Sequence, residues 1–133
     1  MMFYTQNVTK IRRRGELKTK GVHIILELFD CDKEILNDRK KIEEIMLEAT
    51  KQSGAKIVSY TFHKFNPHGV SGVVVIAESH LSIHTWPEVG YAATDVYTCG
   101  EDVMPDRAVE YLKKNLKAKK STAIEMKRGL IDE

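Results

Sequence analysis

Val73, Val74, Val75 and Ile76, with Gly72 before them and Ala77 after, make a β-branched run that stops abruptly at Glu78. Branching at Cβ stiffens χ1 and suits such residues to a pleated sheet rather than a helix. The run is expected to be a central strand, so the chain has to place further strands on either side of it. Residues 22–29 supply one, ending in the turn signal Asp30-Cys31-Asp32. Residues 56–65 supply another, followed by the turn Asn66-Pro67-His68-Gly69, and residues 91–98 a third. Asn37 or Asp38 caps a helix that runs to about Ser53 and stops at Gly54. Its Ile42, Ile45, Met46 and Ala49 follow the spacing of one helical face. A second helix starts near Met104, Pro105 and Asp106 and ends around Lys119 or Lys120, with Ala108, Tyr111, Leu112 and Leu116 on one face. Residues 123–127 alternate like an edge strand. This order predicts an α+β fold: a two-layer sandwich in which an antiparallel β-sheet is covered on one face by two helices. The other sheet face is left open, and a second copy of the chain is expected to cover it.

With 133 residues the chain suits one domain, and at 42% hydrophobic it lies outside disordered composition. No apolar stretch approaches the roughly 18 residues of a membrane helix. Residues 1–20 are polar and basic, without the apolar centre of a secretion signal. A cytoplasmic protein with no membrane partner is expected. The net charge of +2 is too small to argue for nucleic acid. Basic residues do cluster ahead of the first strand, at Lys10, Arg12, Arg13, Arg14, Lys18 and Lys20. A phosphate-binding arm fits them, as does a solvated extension; the extension is the reading adopted, with no nucleic-acid partner. Residues 1–20 are thus divided, as a basic N-terminal arm, from a domain of residues 21–133. Cys31 and Cys99 are read as free thiols, as suits a chain without export signals.

Chemistry concentrates in Glu78-Ser79-His80-Leu81-Ser82-Ile83-His84-Thr85-Trp86-Pro87-Glu88, directly after the buried run, where a rigid scaffold can present reactive groups. His80, His84 and an acid are one candidate set, for a metal. Their spacing suits a helix, which Pro87, Ile83 and Thr85 oppose; in a strand the two histidines share a face, yet no Cys pair or third His stands at ligand spacing. Cys99 activated by His84 is a second candidate, a thiol nucleophile, without a protease signature around it. A structural turn with hydrogen-bonded histidines also fits. Composition and spacing leave all three open.

The ordered motifs go further. Residues 69–88, with Glu78-Ser79-His80 followed by His84-Thr85-Trp86-Pro87-Glu88, closely resemble the prokaryotic S-adenosylmethionine decarboxylase proenzymes. So do residues 91–100, which end in Thr98-Cys99-Gly100. The likeness spans about residues 21–130 and takes in the strand with Glu27 and the stretch Phe62-His63-Lys64-Phe65; the basic arm lies outside it.

The resemblance implies a pyruvoyl-dependent lyase that makes its own cofactor. Ser79 would attack the carbonyl of Glu78, and His84 would accept the α-proton of residue 79. The chain would then divide into a β chain of residues 1–78 and an α chain of residues 79–133 that begins with the pyruvoyl group. Ser71 would assist processing by stabilising the oxyanion. The pyruvoyl carbonyl would take the substrate amine as a Schiff base and act as electron sink. Cys99 would return a proton to the substrate; thiols, with a reference pKa of about 8.5, are mostly protonated at neutral pH. Phe65 would stack on adenine and Glu88 would contact the ribose, although by composition alone Phe65 reads as core. The product would be decarboxylated S-adenosylmethionine, the aminopropyl donor for spermidine and other polyamines. The resemblance also implies an active site shared between protomers of a dimer of α/β heterodimers. A pyruvoyl-dependent arginine decarboxylase of the same fold is the alternative. No metal is expected.

Overall fold

The computed structural model describes residues 17–132. The central run lies in strand β4 (Val70–Ile76), second in a six-stranded sheet whose spatial order is β3-β4-β5-β6-β2-β7. The other members are β2 (Gly21–Phe29), β3 (Ile57–Lys64), β5 (Ser79–Trp86), β6 (Tyr91–Thr98) and β7 (Lys120–Arg128). Every neighbouring pair is antiparallel. A two-stranded sheet pairs β1 (Leu17–Lys18) with β8 (Ile131–Asp132) and ties residue 17 to the chain's C-terminal end. The arm residues Lys10, Arg12, Arg13 and Arg14 lie outside the described residues.

Among the described residues, three helices cover one face: α1 (Lys33–Leu36), α2 (Arg39–Ser53) and α3 (Pro105–Asn115). Asp38 caps α2, its carboxylate accepting from the Lys41 N–H at 3.1 Å, and Gly54 ends the helix in the left-handed region at φ +84°. Its neighbour Asn37 accepts from the Gly69 N–H at 2.9 Å and so anchors the β3–β4 turn. Ile42, Ile45, Met46 and Ala49 of α2, with Ala108, Val109 and Leu112 of α3, pack on Ile24, Leu26 and Leu28 of β2, Val74 and Ile76 of β4, and Leu81 and Ile83 of β5. Each of the Val, Leu, Ile and Met side chains among them contributes about 1.5–3 kcal/mol by leaving water.

Two boundaries differ from the sequence expectation. The second helix stops at Asn115, because buried Leu116 caps it and Lys117 turns left-handed at φ +58°. The segment after Glu78 is a strand, with the turn confined to Ala77 and Glu78. Leu81, Ile83 and Thr85 alternate into the core, while the opposite set, His80, Ser82, His84 and Trp86, is polar or aromatic and hides the apolar period. Thr85 satisfies its buried hydroxyl by donating to the Leu36 carbonyl at 2.8 Å and accepting from the Val70 N–H at 2.9 Å. Among the described residues, no helix lies over the face carrying His80, Ser82 and His84.

Candidate active site

The tight hairpin between β4 and β5 puts Ile76 opposite Ser79 and leaves Ala77 and Glu78 to make the turn. Glu78 takes a φ of +75°. A residue with a Cβ is held there at a cost of about 1–3 kcal/mol, so conformational strain sits beside the peptide that joins Glu78 to Ser79. Cys99 follows the last residue of β6, and the register of His80 opposite Tyr97 carries it to the same end of the sheet. Its sulfur lies 3.2 Å from the Ser79 hydroxyl and 3.5 Å from the Glu78 carbonyl oxygen. One thiol therefore touches both the nearest hydroxyl and the carbonyl of this strained peptide.

A second group gathers at the far end of β5. His84 stands opposite Ser71 of β4, and their Nδ1 and Oγ atoms are 2.7 Å apart. His63 of β3 stands opposite Ser71 on the other side, and the edge of its ring meets Phe65 with centroids 4.6 Å apart. Phe65 is exposed, which corrects its reading as core. Glu88 lies in the short 3-10 turn after β5 and pairs with His68 of the β3–β4 turn at 3.2 Å. Thr61, His63, Ser71, Val73, Ser82 and His84 border a shallow cleft of about 270 Å³ on the open face.

These two groups do not meet within one chain. Ser79 and His84 are five residues apart on one strand, or about 16 Å at roughly 3.3 Å per residue. An imidazole cannot span that distance to act on residue 79.

Between them lies a network that the sequence reading missed. Asp95 of β6 accepts from His23 Nε2 at 2.6 Å, from His80 Nε2 at 3.1 Å, and from the Ser82 hydroxyl. Burial pushes the Asp95 carboxyl up, but these hydrogen bonds and the His80 charge outweigh it and hold the group below the usual carboxylate range. The ligating atoms of His23, His80 and Asp95 lie within 4.8 Å of one another, as a metal would need. However, Arg128 donates to His23 Nδ1 at 2.9 Å. A guanidinium only donates, so Nδ1 is bare, and Nε2 carries the proton that points at Asp95. The lone pair a metal would take on His23 is committed, and the trio is a hydrogen-bonded network. Nearby, Tyr91 donates to Glu27; burial first, then this contact with Glu27, pushes the phenol up to about 12.

A sequence profile described as S-adenosylmethionine decarboxylase matches residues 22–129. The chain belongs to the S-adenosylmethionine decarboxylase family. It is 57% identical over 117 residues to the S-adenosylmethionine decarboxylase proenzyme of Thermotoga petrophila, covering 88% of this chain and 90% of that protein. It is 58% identical over 113 residues to the proenzyme of Caldicellulosiruptor saccharolyticus, covering 85% and 91%. Among solved structures, the adenosylmethionine decarboxylase of Aquifex aeolicus superposes with a TM-score of 0.83 at 39% identity, over 87% of this chain and 96% of that one. The span of the family match agrees with the resemblance expected over about residues 21–130.

Within this S-adenosylmethionine decarboxylase fold, the residues singled out in the sequence fall into two clusters: Glu78, Ser79 and Cys99 in one, Ser71, His84, Phe65 and Glu88 in the other. The candidate metal pair is split, since His80 turns to Asp95 and His84 to Ser71. The candidate thiol pair is split too, because Cys99 contacts Ser79. Cys31 and Cys99 are both free; burial first and then Asp30 push the Cys31 thiol up to about 11, which leaves it inert. Asp95 and Tyr97 stood only as members of the motif of residues 91–100, and His23 and Arg128 carried no signal of a role. No helix among the described residues is long and apolar enough to cross a membrane.

Proposed function

We propose that this chain is a self-cleaving decarboxylase that converts Ser79 into a pyruvoyl group and uses it to decarboxylate S-adenosylmethionine, supplying the aminopropyl donor for spermidine synthesis. The observation that carries the reading is the Cys99 thiol, 3.2 Å from the Ser79 hydroxyl and 3.5 Å from the Glu78 carbonyl, at a residue held at φ +75°. The names of the relatives speak for S-adenosylmethionine, and the arginine alternative is not favoured.

In the processing step the Ser79 oxygen attacks the Glu78 carbonyl carbon and turns the peptide into an ester. The left-handed strain at Glu78 raises the starting energy, and the thiol is placed to donate to the carbonyl oxygen as charge grows on it. Loss of the α-proton of residue 79 then expels the Glu78 carboxylate; water replaces ammonia at residue 79, and the β chain (residues 1–78) and α chain (residues 79–133) separate covalently. The base for that proton is His84. Ser71 engages its Nδ1, which orients the ring and leaves Nε2 to take the proton. Because His84 and Ser79 are about 16 Å apart on one strand, the His84 that serves a given Ser79 belongs to a second copy of the chain. The open sheet face, with Ile25, Val75 and Trp86 exposed beside its polar network, is the surface that second copy covers.

The residues fit a pyruvoyl group: a serine precursor stands at position 79 and a thiol lies at hydrogen-bonding distance from it. That group supplies an electron sink for the pair left behind as carbon dioxide departs. Cys99 then delivers its proton to the substrate α-carbon. The exposed face of Phe65 offers a stacking surface to adenine, and Glu88 offers acceptors to the ribose hydroxyls. Release of labelled carbon dioxide from carboxyl-labelled S-adenosylmethionine tests the reading. Wild-type protein should release it, and Ser79→Ala should neither cleave nor decarboxylate. Cleavage in that variant, or release from labelled arginine alone, overturns the proposal.

A further inference from the structure

β2 opens at Gly21, and its backbone is ordinary strand: its φ lies outside the left-handed region that favours glycine. The need for glycine is spatial. A Cβ at residue 21 would lie 2.8 Å from the Thr98 carbonyl oxygen, 2.9 Å from Cys99 Sγ and 2.9 Å from Tyr97 Cε1. Ordinary contacts of this kind are about 3.5–4 Å, so adding one methyl group forces something to move.

The surroundings decide what moves. The start of β2 is stapled to β7: the Thr19 hydroxyl lies 2.7 Å from the carbonyl oxygens of both Gly21 and Arg128, and the Gly21 N–H donates to Thr19 Oγ1 at 3.2 Å. Tyr97 is clamped as well. Its ring stacks on His23 at 4.9 Å between centroids, meets the edge of His80 at 5.7 Å, and lies 5.2 Å from the Arg128 guanidinium carbon. The Thr98 oxygen belongs to backbone held in register opposite Val22. The Cys99 sulfur turns on a single χ angle and is the softest of the three neighbours.

We propose that Gly21 is a positioning residue for Cys99: its missing side chain is the seat in which the sulfur rests, and it sets the sulfur's distance to Ser79 and Glu78. The inference rests on the reading of Cys99 as proton donor. Alanine at residue 21 turns the thiol out of its seat and breaks the 3.2 Å contact with Ser79. A positioning role of this kind acts on proton delivery and leaves the substrate-binding residues at the other end of β5 untouched.

The test is Gly21→Ala in the full chain, with iodoacetamide as the thiol probe and buried Cys31 as internal reference. Cys99 should be alkylated about threefold faster or more once unseated, as reactivity follows exposure. In the self-cleaved fraction kcat should fall about tenfold or more, with KM within about twofold, as for a group acting only in proton transfer. Unchanged alkylation overturns the proposal, whatever happens to kcat, because the thiol has then not moved. Faster alkylation with kcat unchanged overturns it too, because the seat then does not serve catalysis. Where Gly21→Ala folds poorly, Gly21→Ala/Cys99→Ala decides: the alanine should cost less thermal stability in a background without the sulfur. An equal cost in both backgrounds refutes the seat. Failure of the functional reading is separable, since wild-type protein that neither cleaves nor decarboxylates sinks that reading, while alkylation and the stability cycle still judge Gly21.

Discussion

If each Ser79 is served by the His84 of another copy, two inactive variants should rescue one another. Ser79→Ala lacks the residue to be converted but keeps a sound His84; His84→Ala is the reverse. The separation of about 16 Å along β5 forbids a site made within one chain. A two-fold dimer then builds two sites, each taking Glu78, Ser79 and Cys99 from one chain and Ser71 and His84 from its partner. Equal co-expression with random pairing makes half of the dimers mixed. Each mixed dimer has one complete site of two, so the mixture should recover about a quarter of the wild-type sites by this symmetry. Denaturing electrophoresis should show about half of the His84→Ala chains cleaved and none of the Ser79→Ala chains. Carbon dioxide release from S-adenosylmethionine should return to about a quarter of wild type. Ser79→Ala with Cys99→Ala is the control for activity: both residues belong to the same half-site, so the Cys99→Ala chains still cleave but decarboxylation is not restored. A mixture of Ser79→Ala and His84→Ala with no cleavage and no activity would refute the shared site.

Cys99→Ala should still self-cleave, more slowly for want of the donor 3.5 Å from the Glu78 carbonyl, while decarboxylation by the cleaved form drops about a hundredfold or more; a time course by electrophoresis and single-turnover kinetics separate the two. Phe65→Ala should raise KM about tenfold, as loss of one base-stacking contact of roughly 1–3 kcal/mol implies, and leave self-cleavage at the wild-type rate. Asp95→Asn should be less stable than wild type at neutral pH. The Asp95 pKa is depressed in the folded state, so its contribution is present above the unfolded value of about 3.9 and lost as pH falls through the folded one. Denaturant melts should therefore show the gap between the two proteins closing only below about pH 4, and a gap that is constant with pH would contradict the network.

The fold was legible where side chains obey one period. Ile42, Ile45, Met46 and Ala49 announced α2, and the β-branched run announced β4. β5 was obscured because its outward set, His80, Ser82, His84 and Trp86, is polar or aromatic, so the inward alternation survives only at Leu81, Ile83 and Thr85. The candidate site was legible as an ordered motif, not as geometry. Spacing could not show that Ser79 and His84 are held apart by a straight strand, since a turn there would have joined them. Nor could spacing reveal the network at Asp95, whose partners come from positions 23, 80, 82 and, through His23, 128, brought together only by the order β5-β6-β2-β7. Gly21 fell just outside the strand expected at residues 22–29, and spacing could not show that a Cβ there would meet Thr98, Cys99 and Tyr97.

The central claim is the conversion of Ser79, and intact-mass analysis of purified, denatured wild-type protein tests it most directly. It should give two species, residues 1–78 with a free Glu78 carboxylate and residues 79–133 lighter by one ammonia than a chain beginning with serine. A single uncleaved species, or a second chain with the full mass of an N-terminal serine, would contradict the account.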